Sequence, residues 1–317
     1  TGSLIETQIV ESFLLNTVNL STVIATKASR IVMAAQGKGV YDFSLRRTHG
    51  VDASIKAARS AFIAGFRGTS NVLASKLYGI PAVGTMAHSF VMSFTKEKEA
   101  FRAIFGTFPE KCTLLVDTYD TREGILNAIR VAKEFKAKGH LLKGIRLDSG
   151  NILKLSRMAR EMLDAEDFRE VRILASGDLD EYKIKQLIDG GAAVDDFGVG
   201  TKMGVSYDSP SVDVIYKISE VANQDGIFLP TMKLSEGKVT LPGRKQVFRI
   251  FDKKGFIKKD VIGLETENMG EPLLKRVMQA GEVLYAPISL PTIRETAAKN
   301  LHALSRAIRC LEGNNPV

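Results

Sequence analysis

The sequence predicts an α/β fold, an irregular βα barrel of the TIM type with a smaller β-rich second domain. Three observations predict it. Short β-branched or aromatic runs alternate with helical segments over most of the chain, polar Gly-rich groups close nearly every run, and after about residue 222 the rhythm changes to Gly-punctuated antiparallel strands. Tandem βα units require a parallel sheet with helical crossovers. A doubly wound sheet would gather its ligand groups at one switch point, whereas here they recur strand after strand, which favours a barrel.

From residue 4 to about residue 35, Leu4, Ile5, Ile9, Phe13, Leu14 and Val18 recur three and four apart, the spacing of one long helix or two joined ones. Strands are then expected at 39–43, 61–66, 81–85, 112–117, 143–148, 171–176 and 194–199, with helices between them at 52–60, 71–77, 121–138, 151–163 and 180–189. Further strands are expected at 233–240, 243–251 and 254–257, turning at glycines. A last helix at 293–311 follows Pro291, which suits a helix start. Residues 1–225 are thus expected to be the α/β barrel and 226–317 the β-rich part with its terminal helix.

Composition narrows the function. The chain has 317 residues, 44% hydrophobic and 25% charged, enough for a full core. Two cysteines far apart, Cys112 and Cys310, argue against a disulfide framework and a structural zinc site, so a reducing, cytoplasmic compartment is expected. The longest charge-free stretch, about 77–95, holds Gly, Pro and His and falls short of the ~20 apolar residues of a membrane span. No membrane partner is expected. The chain opens on Thr1 and runs at once into a helical pattern, so its natural N-terminal segment is expected to be missing. A net charge of +8, spread without a basic stripe, favours a small phosphorylated anion over nucleic acid.

In a barrel the strand ends meet on one face. Here they carry Asp42-Phe43-Ser44 with Arg46 and Arg47, Gly68-Thr69-Ser70-Asn71, Gly84-Thr85 with His88, Asp117 to Asp120, Arg146 with Asp148-Ser149-Gly150, Ser176-Gly177-Asp178, and Gly198-Val199-Gly200-Thr201. Arginines, aspartates, one histidine and helix-start amides suit a polyanionic, hydroxyl-bearing ligand. Gly198, Gly200 and Thr201 can cradle a phosphate or simply form a tight turn. Asp148 and Asp178 can accept from vicinal sugar hydroxyls, directly or through hydrated Mg²⁺, or can serve as helix N-caps. His88 stands where a phosphate can reach its ring, though a structural histidine gives the same pattern. Arg46 and Arg47 with Phe43 offer a cation and a stacking face to an aromatic acid, or form a solvated pair above a core ring.

Together these motifs resemble the nicotinate phosphoribosyltransferase family. The resemblance is carried by Asp42-Phe-Ser-Leu-Arg-Arg, Gly68-Thr-Ser-Asn-Val, Gly84-Thr-Met-Ala-His-Ser, Asp117-Thr-Tyr-Asp-Thr, Gly144-Ile-Arg-Leu-Asp-Ser-Gly, Ala175-Ser-Gly-Asp-Leu-Asp and Phe197-Gly-Val-Gly-Thr, in that order over nearly the whole chain. Tyr216-Lys217, Lys233-Leu-Ser and Pro242-Gly-Arg-Lys-Gln-Val-Phe-Arg add to it. It implies the irregular barrel of the type II phosphoribosyltransferases, with a second domain built from both chain ends. The implied reaction joins nicotinate to phosphoribosyl pyrophosphate, giving nicotinate mononucleotide and pyrophosphate with ATP hydrolysis. That is an ATP-coupled glycosyl transfer, classed as a ligase, in NAD biosynthesis and salvage.

The resemblance also implies roles. His88 falls on the phosphorylated histidine and Asp148 and Asp178 on the ribose-hydroxyl acceptors. Phe43 stacks on nicotinate, Thr85 and Arg146 hold it, and Arg46 meets a pyrophosphate or carboxylate. Gly177 belongs to the ribose loop, and Gly198, Gly200 and Thr201 form the 5′-phosphate cradle. Asp117 and Asp148 face Mg²⁺, ATP is a co-substrate, and the family forms homodimers with shared active sites.

Two departures stand out. Family members carry a further N-terminal segment whose Tyr stacks on the substrate ring from the neighbouring subunit. Asn151 stands where the nicotinate enzymes usually show Asp, and the nicotinamide enzyme has Asn there. That relative, however, places Asp where this chain has Ser70, and a carboxylate there would accept from an amide and repel an acid. Ser70 with Arg146 points to nicotinate. Nicotinamide or quinolinate phosphoribosyltransferase, or a non-catalytic phosphate-binding barrel, remain the alternatives, although the quinolinate signatures are absent from the sequence.

Overall fold

The computed structural model describes residues 1–236 and 239–311. They fall into two compact units, Leu20–Val212 and Thr1–Asn19 with Asp213–Val317. The division lies before the expected position near residue 225, and the first residues group with the later part of the chain.

Two helices open the chain, α1 (Leu4–Ile9) and α2 (Glu11–Ala34), broken at Val10. Over residues 4–34 they form a stretch long and apolar enough to cross a membrane by composition, with mean hydropathy 1.3. Glu6, Glu11, Lys27 and Arg30 interrupt this stretch, so it holds no charge-free run as long as 77–95. In its second half Val23, Ile24, Ala28 and Ile31 are buried, and so is Lys27 in ion pairs, the pattern of a core helix.

The larger unit then alternates strand and helix. In chain order its elements are β1 (Gly39–Asp42), α3 (Val51–Ala64), β2 (Gly68–Thr69), α4 (Val72–Tyr78), α5 (His88–Met92), α6 (Glu97–Thr107), β3 (Thr113–Leu115) and α7 (Thr121–Lys136). After these come β4 (Gly144–Leu147), α8 (Ile152–Ala165), β5 (Arg172–Ala175), α9 (Glu181–Asp189), β6 (Asp196–Val199) and α10 (Thr201–Gly204). The six strands are parallel in the order β2-β1-β6-β5-β4-β3. Read from β3 through β6 to β1 and β2, each strand neighbours its successor, and β6 joins β1. That is the cyclic order of a barrel with one link open, between β2 and β3. The sheet curls into a half-barrel, as the α/β barrel class requires.

Two expected strands change character. The run 61–66 is the end of α3, which buries Ala57, Ala58, Ala61 and Ala64 and stops at Gly65 with φ +121°. The run 81–85 makes one bridge, Ala82 beside Thr69, and extends the sheet no further.

Tight packing sets the strand ends. A Cβ at Gly124 would stand 1.9 Å from the Val116 carbonyl oxygen, so α7 lies directly against the end of β3 and fixes Asp117 beyond it. Asn71, Asp120, Asn151 and Asp180 cap α4, α7, α8 and α9 through their side chains. Asp148 and Asp178 are therefore not the caps of the helices that follow them.

The smaller unit is built from antiparallel strands. β7 (Glu220–Ala222) pairs with β8 (Phe228–Pro230), and β9 (Lys245–Phe251) lies between β10 (Ile257–Leu264) and β11 (Glu271–Pro272). β12 (Met278–Gln279) pairs with β13 (Glu282–Val283). The expected strand at 233–240 is instead closed by mutual hydrogen bonds between Lys233 and Thr240, while Gly237 and Lys238 lie outside the described residues. The terminal helix is split into α11 (Leu290–Ala303) and α12 (Arg306–Arg309), since Leu304 turns extended and Ser305 caps a new start.

Candidate active site

A cavity of about 540 Å³ opens at the C-terminal ends of the strands, where a barrel places its ligands. Phe43, Arg46, Ser70, Thr85, His88, Arg146 and Asp148 all line it. These seven residues come from four separate parts of the sequence and were each expected at the site.

Arg146 organises the cavity. Its Nε donates to Ser176 Oγ at 2.7 Å, one terminal nitrogen donates to Thr85 Oγ1 at 3.1 Å and the Met86 carbonyl at 3.4 Å, and the other meets Asp148 Oδ1 at 2.6 Å. The guanidinium carbon lies 5.2 Å from the centre of the Phe43 ring, a cation–π contact. Braced on four sides, the cation is held in one orientation before any ligand arrives.

Asp148 is the second hub. Ser176 Oγ lies 2.5 Å from its Oδ1, and His88 Nε2 lies 3.6 Å from its Oδ2. Burial pushes its carboxyl up, but Arg146 and the Ser176 hydroxyl outweigh that and hold it below the usual carboxylate range. It is therefore ionised at neutral pH. His88 opens α5 and places Nδ1 3.1 Å from Thr118 Oγ1.

Asp117 is 7% exposed at the end of β3. Its Oδ2 accepts from the Asp148 amide at 2.8 Å and from the Ser149 hydroxyl at 2.7 Å, whereas its buried Oδ1 has no hydrogen-bond partner. No group of three or more His, Cys, Asp or Glu among the described residues is arranged to hold a metal by itself.

The remaining expected residues stand outside the cavity lining. Gly198 backs the Phe43 ring, for a Cβ there would lie 2.4 Å from Phe43 Cε2. Gly200 and Thr201 form the start of α10. Gly177 turns at φ +95° against Asp148, whose carbonyl oxygen would be 1.9 Å from an added Cβ. Asp178 is exposed, at φ +48°, with Oδ2 2.8 Å from Lys183 Nζ, whose ammonium holds it below the usual carboxylate range.

Several supporting residues stood inside those motifs without a role of their own assigned to them. Asp42 is buried and joins two strand ends, accepting from the Ser44 amide at 2.8 Å and the Thr69 hydroxyl at 2.7 Å, which sets Phe43 and Ser70 on either side. Burial raises its pKa against those bonds. Ser176 and Thr118 brace Arg146 and His88. A hydroxyl beside a motif was the available hint, and hydroxyls are too common to carry one.

Comparison with known proteins follows the same residues. A model of the nicotinate phosphoribosyltransferase (NAPRTase) family matches residues 39–227. Nicotinate phosphoribosyltransferase pncB2 of Mycobacterium tuberculosis is 43% identical over 312 residues, covering 98% of this chain and 65% of that protein. Nicotinate phosphoribosyltransferase of Bacillus subtilis is 41% identical over 315 residues, covering 98% and 63%. The chain thus spans a little under two thirds of the length of these curated relatives. Among solved structures, human nicotinic acid phosphoribosyltransferase superposes with a TM-score of 0.82 at 27% identity, covering 97% of this chain and 73% of that one. A nicotinate-nucleotide pyrophosphorylase from Pyrococcus furiosus gives 0.75 at 30% identity, covering 92% and 73%.

Proposed function

The chain belongs to the nicotinate phosphoribosyltransferase family, and on that premise we propose that it transfers the phosphoribosyl group of phosphoribosyl pyrophosphate to nicotinate. The products are nicotinate mononucleotide and pyrophosphate, and ATP hydrolysis drives the exchange. The observation that carries this reading is the fixed Arg146 guanidinium beside the Phe43 ring, with Thr85 next to it and the neutral Ser70 also on the wall of the cavity.

Nicotinate is a flat ring with one carboxylate. Phe43 supplies the stacking face and Arg146 with Thr85 supplies the donors for the acid, since a charged donor on a carboxylate is stronger than a neutral one. Ser70 brings no negative charge to repel it. With the ring so held, its nitrogen lone pair attacks C1′ of the ribose while the bond from C1′ to pyrophosphate breaks and its electron pair leaves with that group. Positive charge grows on the ribose in between, and the ionised Asp148 stabilises it.

The ribose hydroxyls are assigned to Asp148 and Asp178 in the Gly177 turn, and the 5′-phosphate to the Gly198–Thr201 turn, where the first amides of α10 lack partners four residues back. Arg46 is assigned to the pyrophosphate. Mg²⁺ fits at Asp117, whose buried Oδ1 is without a partner. One carboxylate, with Asp148 beside it, is the kind of site that takes Mg²⁺ together with substrate phosphates. The ion would neutralise charge on the leaving group. His88 is assigned to accept a phosphoryl group from ATP, with Thr118 orienting the ring. Homodimers with shared sites and a cytoplasmic setting belong to the same reading.

Replacing Arg146 by Ala tests the assignment. A charged hydrogen bond lost in a half-buried site costs about 1.5–3 kcal/mol, so the KM for nicotinate should rise roughly ten- to hundredfold. A KM equal to that of the unmodified protein would remove Arg146 from acid recognition.

A further inference from the structure

We propose that Lys27 is a positioning residue for the phosphoribosyl half of the site, acting through Glu181 and Asp208 in the two chain segments that follow β5 and β6. The proposal rests on the phosphate and ribose assignments made above.

Lys27 is 4% exposed in the middle of α2, far in sequence from either loop. Its Nζ lies 2.7 Å from Glu181 Oε2 and 2.6 Å from Asp208 Oδ1. Glu181 is fully buried and also takes Arg30 Nε at 2.9 Å. An ion cluster built around two buried charges is weak evidence for stability, because well-packed apolar side chains of similar volume often do as well. Its placement gives it another use. Glu181 is the first residue of α9, shortly after the Gly177–Asp178 turn, and Asp208 lies beyond α10, which itself starts from the Gly198–Thr201 turn. Since β5 and β6 are neighbours, one ammonium ties together the segments that follow two adjacent strands, and through them the turns at the strand ends.

Both loops need such a tie. Gly177 and Asp178 are consecutive residues at φ +95° and +48°, and Ser206, between α10 and Asp208, stands at φ +44°. A non-glycine residue in this region costs free energy and persists only where its surroundings over-determine it. Lys183 holds the first turn locally, through the Asp178 carbonyl and carboxylate, and Ser206 Oγ donates to the Ser209 carbonyl in the second. Neither bond relates one loop to the other. The Lys27 bridge does, and Asp178 and the phosphate turn must act on one ligand at a fixed separation. Burial disfavours the Lys27 charge, but Asp208 and Glu181 override it and keep the ammonium protonated well above neutral pH.

The test uses the full chain with Lys27→Met and, separately, Asp208→Asn, whose side chain is 44% exposed so that only one arm of the bridge is lost at small risk to folding. Misplacement of a binding group by about 1 Å can cost up to ~100-fold, so Lys27→Met should raise the KM for phosphoribosyl pyrophosphate at least tenfold and leave the KM for nicotinate near its original value. Asp208→Asn should raise the same constant less. Equal changes in both KM values, or a lower Tm with both unchanged, would overturn the proposal, and Asp208→Asn decides alone if Lys27→Met does not fold. Ribose 5-phosphate binding by calorimetry separates this from the reaction assignment. If the unmodified protein turns nothing over, weaker ribose 5-phosphate binding by the variants still supports positioning, whereas equal binding, or none by the unmodified protein, rejects it.

Discussion

At the scale of single residues, the site is a set of charges fixed by hydroxyls. Arg146 and Asp148 compensate each other at 2.6 Å, and Ser176 touches both, so neither charge has to reorganise when a ligand enters. The residues that line the cavity were legible in the sequence, because Arg146, Asp148 and His88 stand in or just after apolar runs in motifs of distinctive order. Those that brace them were not. Thr118 and Asp42 work through contacts with residues 30 and 27 positions away, which no local pattern encodes. His88→Ala should leave slow mononucleotide synthesis but abolish its stimulation by ATP, measured as product formed with and without the nucleotide. Undiminished stimulation would take His88 out of the coupling.

At the scale of elements, helices with caps and a strong apolar face were legible, and so were the strands at 39–43, 112–117, 143–148, 171–176 and 194–199, buried on both faces. The run 61–66 misled because Phe62, Ile63 and Phe66 look like a strand, while the alanines that decide the matter recur at helical spacing and meet the sheet. Pro81 hid the weakness of the next run, for it offers a carbonyl to Thr69 but no N–H. Close approach between elements was also invisible. Gly198 is the clearest case, since Phe43 occupies the space its side chain would need. Gly198→Ala should push that ring, with overpacking of about 1–3 kcal/mol, and raise the KM for nicotinate more than it lowers Tm would explain in a remote core substitution. Unchanged nicotinate kinetics in a folded Gly198→Ala protein would show that Phe43 is not the stacking face.

At the scale of the whole molecule, the order β3-β4-β5-β6-β1-β2 is what a barrel with one open link requires, and it brings seven of the expected site residues to one cavity. The β-rich part was expected from its glycine turns, whereas the grouping of residues 1–19 with it, which depends on contacts distant in sequence, was expected only from the family resemblance. Charge should set the acid limit of both units. Asp148 and Asp208 in one, and Asp260 in the other, have folded-state pKa values lowered by Arg146, Lys27 and Arg249 against the opposing effect of burial. A lowered carboxylate stabilises the fold above its unfolded pKa of ~3.9 and loses that contribution as pH falls through the folded value. Asp42 and Glu97, raised by burial, act in the opposite sense, favouring the fold as they protonate on the way down. Tm should therefore change little from pH 7 to about 5 and drop below about 4. A Tm that keeps rising as the pH is lowered to 3 would mean that the carboxylates raised by burial dominate.

In the reading proposed above, the fixed Arg146 and the neutral Ser70 make this a transferase for the acid. Its most direct test is the formation of labelled mononucleotide from phosphoribosyl pyrophosphate and Mg²⁺, with nicotinate, nicotinamide and quinolinate in parallel, each with and without ATP. Product from nicotinate, increased by ATP, and little from the other two is the predicted result. Preferential product from nicotinamide or quinolinate would contradict it.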